Sequence, residues 1–74
     1  MYFVGIDIGS AATKAAAVDL QGEVLSTAVI PMGTGTRGST AALDALYQAG
    51  GLDPAQRGGI IATGYGRLNF KGAD

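Results

Sequence analysis

The feature that most constrains this chain is an apolar segment near its start that contains one charged residue. Residues 2–8 are apolar except for Asp7, and a Gly-Ser-Ala-Ala turn at residues 9–12 follows them directly. An apolar run bounded by turn residues is typical of a β-strand, and the pattern here predicts a strand buried on both faces. A second apolar run, residues 13–20, begins with a threonine-lysine pair. The two runs and their connection predict a β-hairpin.

The strand prediction for residues 13–20 needs separate support, because alanine favours helix. Residues 21–22, Gln-Gly, have the composition of a hairpin turn, and the segment after them is clearly β-type. Pairing with neighbouring strands overrides the helical preference of alanine. We therefore predict a second strand over residues 13–20 and a third over residues 23–32.

A helix and a fourth strand are predicted after the loop of residues 33–38. Ser39 is the expected N-cap of a helix over residues 40–49, and Gly50 suits the position just past its end. Residues 59–63 are short and mostly apolar, which predicts a strand. Because a helix precedes it, this strand is expected to lie parallel to the first one. The predicted fold is α/β: a three-strand antiparallel meander, then a helix and a parallel strand.

Composition excludes several classes of function. The 74 residues, enough for one small domain, contain no cysteine, so they provide no disulfide and no cysteine-ligated zinc or iron–sulfur site. The net charge of -1 gives no basic patch for nucleic acid. No apolar run approaches the roughly 20 residues that span a bilayer, and the start of the chain does not resemble a signal peptide. We therefore expect a cytoplasmic protein that acts at no membrane.

The hairpin turn contains the groups that a phosphate site requires. Gly9 lets the backbone approach a ligand and can adopt a positive φ, and the amides of residues 9–12 can converge on an oxyanion. The Ser10 and Thr13 hydroxyls add donors, and Lys14 supplies a charge with flexible reach. The predicted phosphate-binding residues are Gly9, Ser10, Ala11, Ala12, Thr13 and Lys14.

Asp7 is the residue that best indicates the chemistry of the hairpin. A carboxylate in an apolar strand is costly unless it is hydrated, paired or close to a metal. Beside a nucleotide it would hold Mg²⁺ through water or orient the attacking water, so Asp7 is the predicted catalytic residue and Mg²⁺ contact. A structural alternative exists for each residue alone: Asp7 can form a local turn, and Lys14 can be a solvated edge charge. Taken together, these residues favour the phosphate site.

Three stretches of the chain resemble known ATPases. Residues 5–10, Gly-Ile-Asp-Ile-Gly-Ser, followed by Thr13 and Lys14, resemble the first phosphate motif of the actin, sugar-kinase and Hsp70 superfamily. The predicted element order is similar to the first part of its ribonuclease-H-like fold. Residues 29–36, and the Ala-Thr-Gly-Tyr-Gly-Arg string at residues 62–67, resemble the ATP-dependent activators of 2-hydroxyacyl-CoA dehydratases and benzoyl-CoA reductases.

This resemblance implies a nucleotide-driven electron transfer. Members of the family are homodimers bridged by one [4Fe–4S] cluster, and they hydrolyse ATP to drive an electron into a dehydratase or reductase component. Asp7 would correspond to the aspartate that positions Mg²⁺ and water. The residues matching the β/γ-phosphate loop would be Gly9, Ser10, Thr13 and Lys14. Tyr65 and Arg67 belong to the resembling string, but the resemblance assigns them no role.

The length of the chain qualifies what the resemblance implies. Such activators are several times longer than 74 residues. Their second phosphate motif, adenosine motif and cluster cysteines would lie beyond these residues. We therefore expect residues 1–74 to form a partial ATPase lobe that is inactive alone.

Other interpretations stay open. The chain is also compatible with part of a sugar or acetate kinase, or with a non-catalytic module that pairs its sheet edge or helix with another chain. Residues 33–38 fit G-x-G-x-x-G, but the acidic residue of a dinucleotide site is missing, so a loop capping the helix is favoured. Arg37 and Arg67 lie in glycine-rich turns, where solvent exposure is favoured over an anion contact.

Overall fold

A single mixed sheet with one helix against it forms the fold. The computed structural model describes residues 1–32 and 36–64. The four strands lie in the order β3-β2-β1-β4. The elements are β1 (Tyr2–Ile8), β2 (Thr13–Asp19), β3 (Val24–Ile30), α1 (Thr36–Gly50), a 3₁₀ turn (Pro54–Gln56) and β4 (Arg57–Thr63). The predicted fold class is confirmed: β1, β2 and β3 form an antiparallel meander, and β4 pairs parallel to β1.

The connection between β2 and β3 is held together by Asp19. The Asp19 carboxylate accepts hydrogen bonds from the Gln21 amide at 2.9 Å and the Glu23 amide at 3.0 Å. Gly22 has a φ of 82°, the left-handed region that glycine adopts without steric cost. The predicted hairpin turn is confirmed, although β3 is shorter than the predicted 23–32.

The helix begins earlier than predicted. It starts at Thr36, so Ser39 lies in its first turn and is not the N-cap. Gly38 costs about 1 kcal/mol in a helix relative to alanine. Both Gly38 and Ser39 are buried, and packing of this turn against the protein outweighs that cost.

The helix ends one residue later than predicted. Gly51, with a φ of 61°, takes the position assigned to Gly50. The Leu52 amide donates to the Tyr47 carbonyl at 2.9 Å, and the Gly51 amide donates to the Gln48 carbonyl at 3.3 Å. This is the Schellman arrangement, which satisfies the last carbonyls of a helix.

The core lies on one face of the sheet only. Helix α1 packs mainly against β3 and β2. Side chains alternate along β1 between buried and exposed, so the prediction that this strand is buried on both faces is wrong. A single helix covers one face, and within the described residues nothing covers the other, which we call the open face. The buried apolar residues are Tyr2, Val4, Ile6, Ile8, Ala15, Ala17, Ala42, Leu46 and Ile60.

A tyrosine cluster ties the start of β1 to the connection before β4. The Tyr2 hydroxyl donates to the Asp53 carbonyl oxygen at 2.9 Å, and Arg57 Nη1 donates to the Tyr47 hydroxyl at 2.8 Å. Burial raises the pKa of the Tyr2 phenol above its usual value of 10.0. The strand β4 begins at Arg57, ahead of the predicted 59, because Arg57 already pairs with Tyr2 of β1.

Candidate functional site

The charged residues of the hairpin lie side by side on the open face. Asp7 near the end of β1 is paired with Lys14 at the start of β2, and both are exposed. On its other side, Asp7 is paired in parallel register with Thr63 of β4. The sheet therefore places a cation, a carboxylate and a hydroxyl in one row, which we call the Lys14–Asp7–Thr63 row.

The end of β4 contacts the Asp7 carboxylate directly. Thr63 Oγ1 donates to Asp7 Oδ1 at 3.3 Å. Gly64 has a φ of 90°, and a Cβ at this position would lie only 2.6 Å from Asp7 Oδ1. The sequence identified both residues only as part of a family string, since contacts between distant strand ends leave no local pattern.

The turn after β1 is closed by its own backbone. The Gly9 amide donates to the Ala12 carbonyl at 2.9 Å, so this amide is used within the turn. The positive φ expected for Gly9 is wrong, because the positive-φ glycines of the described residues are Gly22, Gly51 and Gly64. A Cβ on Gly9 would lie 3.0 Å from the Ala12 carbonyl oxygen. Close approach, not a left-handed backbone, is therefore what favours glycine here.

The remaining turn residues are accessible. Ser10 and Ala11 are exposed and Ala12 is half-buried, beside the Lys14–Asp7–Thr63 row. The exposed residues of the turn, Ser10 and Ala11, thus lie at the same end of the sheet as Asp7 and Lys14. The assignment of residues 9–12 as a phosphate loop stays a prediction.

Thr13 is separated from the other predicted site residues. Its side chain is fully buried on the face that α1 covers. Its Oγ1 donates to the Met32 carbonyl at 2.7 Å, which anchors the segment after β3 to β2. The structure does not bring the Thr13 hydroxyl to Asp7 and Lys14.

A shallow groove of about 550 Å³ runs across the open face beside this row. Gly5 and Ala16, which pair across β1 and β2, form its floor. Val29 and Ile61 flank it and are 65% and 70% exposed. The groove thus combines an apolar surface with charged groups at one end.

The side chains of the site suit Mg²⁺ but not the [4Fe–4S] cluster, the two groups that the family resemblance implies. The Asp7 carboxylate is exposed and is a hard oxygen ligand of the kind that Mg²⁺ binds. Within the described residues no three histidine, cysteine, aspartate or glutamate side chains cluster as a metal site. An iron–sulfur cluster needs thiolates, and the chain has no cysteine, so these residues do not ligate the implied [4Fe–4S] cluster.

The other sequence candidates fall outside this site. Arg37 is exposed near the start of α1, where it borders a second surface depression with Asp44. Residues 33–35 of the G-x-G-x-x-G segment, and Tyr65 and Arg67, lie outside the described residues. Among the helices that the structure describes, none has the length and apolar character for a bilayer crossing.

The sheet order, the helix on one face and the hairpin at its end define a ribonuclease-H-like half-lobe. Over all of its length, the chain is similar to activators of 2-hydroxyacyl-CoA dehydratases, as the sequence resemblance predicted. It is 40% identical over 74 residues to the activator of lactoyl-CoA dehydratase from Anaerotignum propionicum. It is 38% identical over 74 residues to the 2-hydroxyisocaproyl-CoA dehydratase activator from Clostridioides difficile.

Solved structures give the same result. The activator of the 2-hydroxyisocaproyl-CoA dehydratase from Clostridium difficile, with bound ADPNP, matches with a TM-score of 0.93 and 38% identity. Component A of the Acidaminococcus fermentans (R)-2-hydroxyglutaryl-CoA dehydratase matches with a TM-score of 0.89 and 31% identity. All of this chain is covered, but only 28% and 29% of those two chains. No protein-family model matches the chain.

Proposed function

We propose that this chain forms the phosphate-binding half-lobe of an ATP-dependent activator that drives an electron into a 2-hydroxyacyl-CoA dehydratase. The observation that carries the proposal is the Lys14–Asp7–Thr63 row beside the turn at residues 9–12. A cation next to a carboxylate suits a nucleotide phosphate and its metal ion. The similarity to an activator with bound ADPNP supports the same assignment.

Each residue of the site has a proposed role. Lys14 neutralises charge on the phosphates, and the amides of residues 10–12 donate to phosphate oxygens. Asp7 would hold Mg²⁺ through water and would orient the water that attacks the γ-phosphorus. Mg²⁺, when bound, supplies charge neutralisation for the phosphate oxygens. These roles suit an actin-like ATPase.

Three further properties are proposals by similarity. The activator is a homodimer, its [4Fe–4S] cluster takes no ligand from residues 1–74, and it works in the cytosol. The names of the relatives favour a dehydratase component as the electron acceptor over a benzoyl-CoA reductase.

A chimera tests the proposed function. Residues 1–74 replace the matching segment of the C. difficile activator, and ATP hydrolysis and activation of its dehydratase are measured. We expect the chimera to retain both activities. Asp7→Asn in the chimera should lower ATP hydrolysis by on the order of 10²-fold, the usual size of a lost positioning group. A folded chimera with neither activity would contradict the proposal.

The 74-residue chain alone is expected to bind nucleotide weakly. One phosphate hairpin contacts only one side of a nucleotide. In a two-domain ATPase the other contacts come from the second phosphate motif and the adenosine motif. Isothermal titration of Mg·ATP into the chain should give no micromolar binding. Micromolar affinity would show that these residues suffice for binding.

A second candidate function is a non-catalytic interaction module. It is favoured by the apolar side chains on the open face, including Phe3, Val29 and Ile61. Such a module would form a dimer whose mass, by light scattering after size exclusion, does not respond to Mg·ATP. A monomeric mass, with and without Mg·ATP, would exclude this candidate function.

A further inference from the structure

Thr63 is placed to act on Asp7 although it lies in another strand. The two residues are 56 positions apart in the chain, and parallel pairing of β1 and β4 brings them together. The Thr63 hydroxyl donates to Asp7 Oδ1 at 3.3 Å. This distance is longer than the 2.7–2.8 Å optimum for such bonds.

The backbone after Thr63 restricts the same carboxylate oxygen. The atoms around Gly64 leave no room for a side chain at this position. A Cβ on Gly64 would lie 2.5 Å from the Ile8 carbonyl oxygen and 2.6 Å from Asp7 Oδ1. The end of β4 therefore packs against Asp7 without an intervening side chain. Gly64 thereby lets the end of β4 lie close to the carboxylate that the Thr63 hydroxyl contacts.

We propose that Thr63 is a positioning residue that orients the Asp7 carboxylate for the ATPase reaction. The catalytic part of this inference rests on the proposed function. A hydrogen bond to a charged acceptor is stronger than one between neutral groups, so the Thr63 hydroxyl favours the Asp7 rotamer that accepts its bond. Thr63 acts through Asp7 and needs no contact with the nucleotide.

The first test measures the orientation of Asp7 directly. Three-bond scalar couplings across the Asp7 χ1 bond are recorded by NMR on the 74-residue chain, without nucleotide. We expect one dominant rotamer in the parent chain and in Thr63→Ser, which keeps the hydroxyl. Thr63→Val has nearly the same shape but no donor, and its couplings should move towards rotamer averaging. Unchanged couplings in Thr63→Val would overturn the proposal.

The second test measures catalysis in the chimera. Thr63→Val should lower kcat for ATP hydrolysis by about 10- to 100-fold, the scale expected for a misplaced catalytic group, while KM for Mg·ATP changes less than about twofold. Thr63→Ser should restore most of kcat. Thr27→Val removes another exposed threonine on the open face, in β3, and serves as the matched control. Equal kcat in Thr63→Val and the parent chimera would overturn the proposal.

The two tests separate this inference from the proposed function. If the parent chimera hydrolyses no ATP, the proposed function fails, and the NMR couplings still decide whether Thr63 orients Asp7. If the parent chimera is active and Thr63→Val is equally active, the proposed function stands and the role of Thr63 is wrong.

Discussion

The backbone of Gly64 lies against the Asp7 carboxylate, at a distance that excludes any side chain. A Cβ on Gly64 would be 2.6 Å from Asp7 Oδ1, and the φ of 90° is itself unfavourable for other residues. Gly64 thereby lets the end of β4 lie close to the Asp7 carboxylate.

Gly64→Ala should therefore lower folding stability and ATP hydrolysis by more than the positive φ alone would. Gly22→Ala is the matched control, because Gly22 has a φ of 82° with nothing within 4 Å of a Cβ. We expect Gly22→Ala to cost about 1–2 kcal/mol of folding stability, the price of a left-handed residue. Gly64→Ala should cost more in urea unfolding and lower ATP hydrolysis in the chimera. Equal losses in both variants would contradict the close contact.

Lys14→Met should weaken nucleotide binding. Removing a charged hydrogen-bond partner costs about 1.5–3 kcal/mol, which corresponds to about a tenfold or larger loss of Mg·ATP affinity in the chimera. The effect should shrink with added salt, because the lost interaction is electrostatic. Arg37→Gln removes another exposed cation and tests the alternative anion contact at α1. An equal loss in Arg37→Gln would argue against a specific role for Lys14.

Thr13→Val should lower stability and leave nucleotide affinity unchanged. The Thr13 hydroxyl is buried and bonded to the Met32 carbonyl, which the substitution leaves without this donor. Loss of an ordinary hydrogen bond costs about 0.5–1.5 kcal/mol, which urea unfolding of the chain would measure. Thr13→Ser keeps the hydroxyl and should be less destabilised. A loss of Mg·ATP affinity in the chimera at unchanged stability would instead support the phosphate role expected from the sequence.

Stability should fall at alkaline pH because of Tyr2. Its pKa is raised in the folded protein by burial, so the unfolded chain releases the phenolic proton at a lower pH than the folded chain does. The stabilisation is complete below the unfolded value of 10.0 and is lost as the pH rises through the folded value. Tyr2→Phe should show a smaller fall in stability above pH 10 in urea unfolding. Identical pH dependence in both proteins would exclude Tyr2 as the cause.

The hairpin could be predicted because its signals are local. An apolar run that ends at a turn defines β1, and the Asp7 and Lys14 charges stand out within apolar strands. Pairing of β1 with β2 then follows from the short connection between them. The start of the helix was predicted four residues too late because burial of Gly38 and Ser39 outweighed local preferences. Its end was predicted one residue too early because Gly51, and not Gly50, takes the left-handed position.

The open face and the role of β4 could not be predicted in the same way. Phe3 and Ile61 are as apolar as the buried residues beside them, so composition does not reveal which face α1 covers. The contact of Thr63 with Asp7 depends on the parallel register of two strands from distant parts of the chain. The sequence predicted a site role for Thr13 because it follows the turn at residues 9–12. In the structure its hydroxyl lies on the face that α1 covers.

The parallel pairing of β1 with β4 also sets the order in which the molecule is assembled. The hairpins of β1, β2 and β3 close short loops, whereas β4 must close a loop of more than fifty residues, and this entropic cost is met late in folding. On a ribosome, Asp7 and Lys14 emerge early, but Thr63 follows only after α1. Nascent chains therefore contain the β1–β2 hairpin before β4, and the Lys14–Asp7–Thr63 row is complete only when β4 pairs with β1.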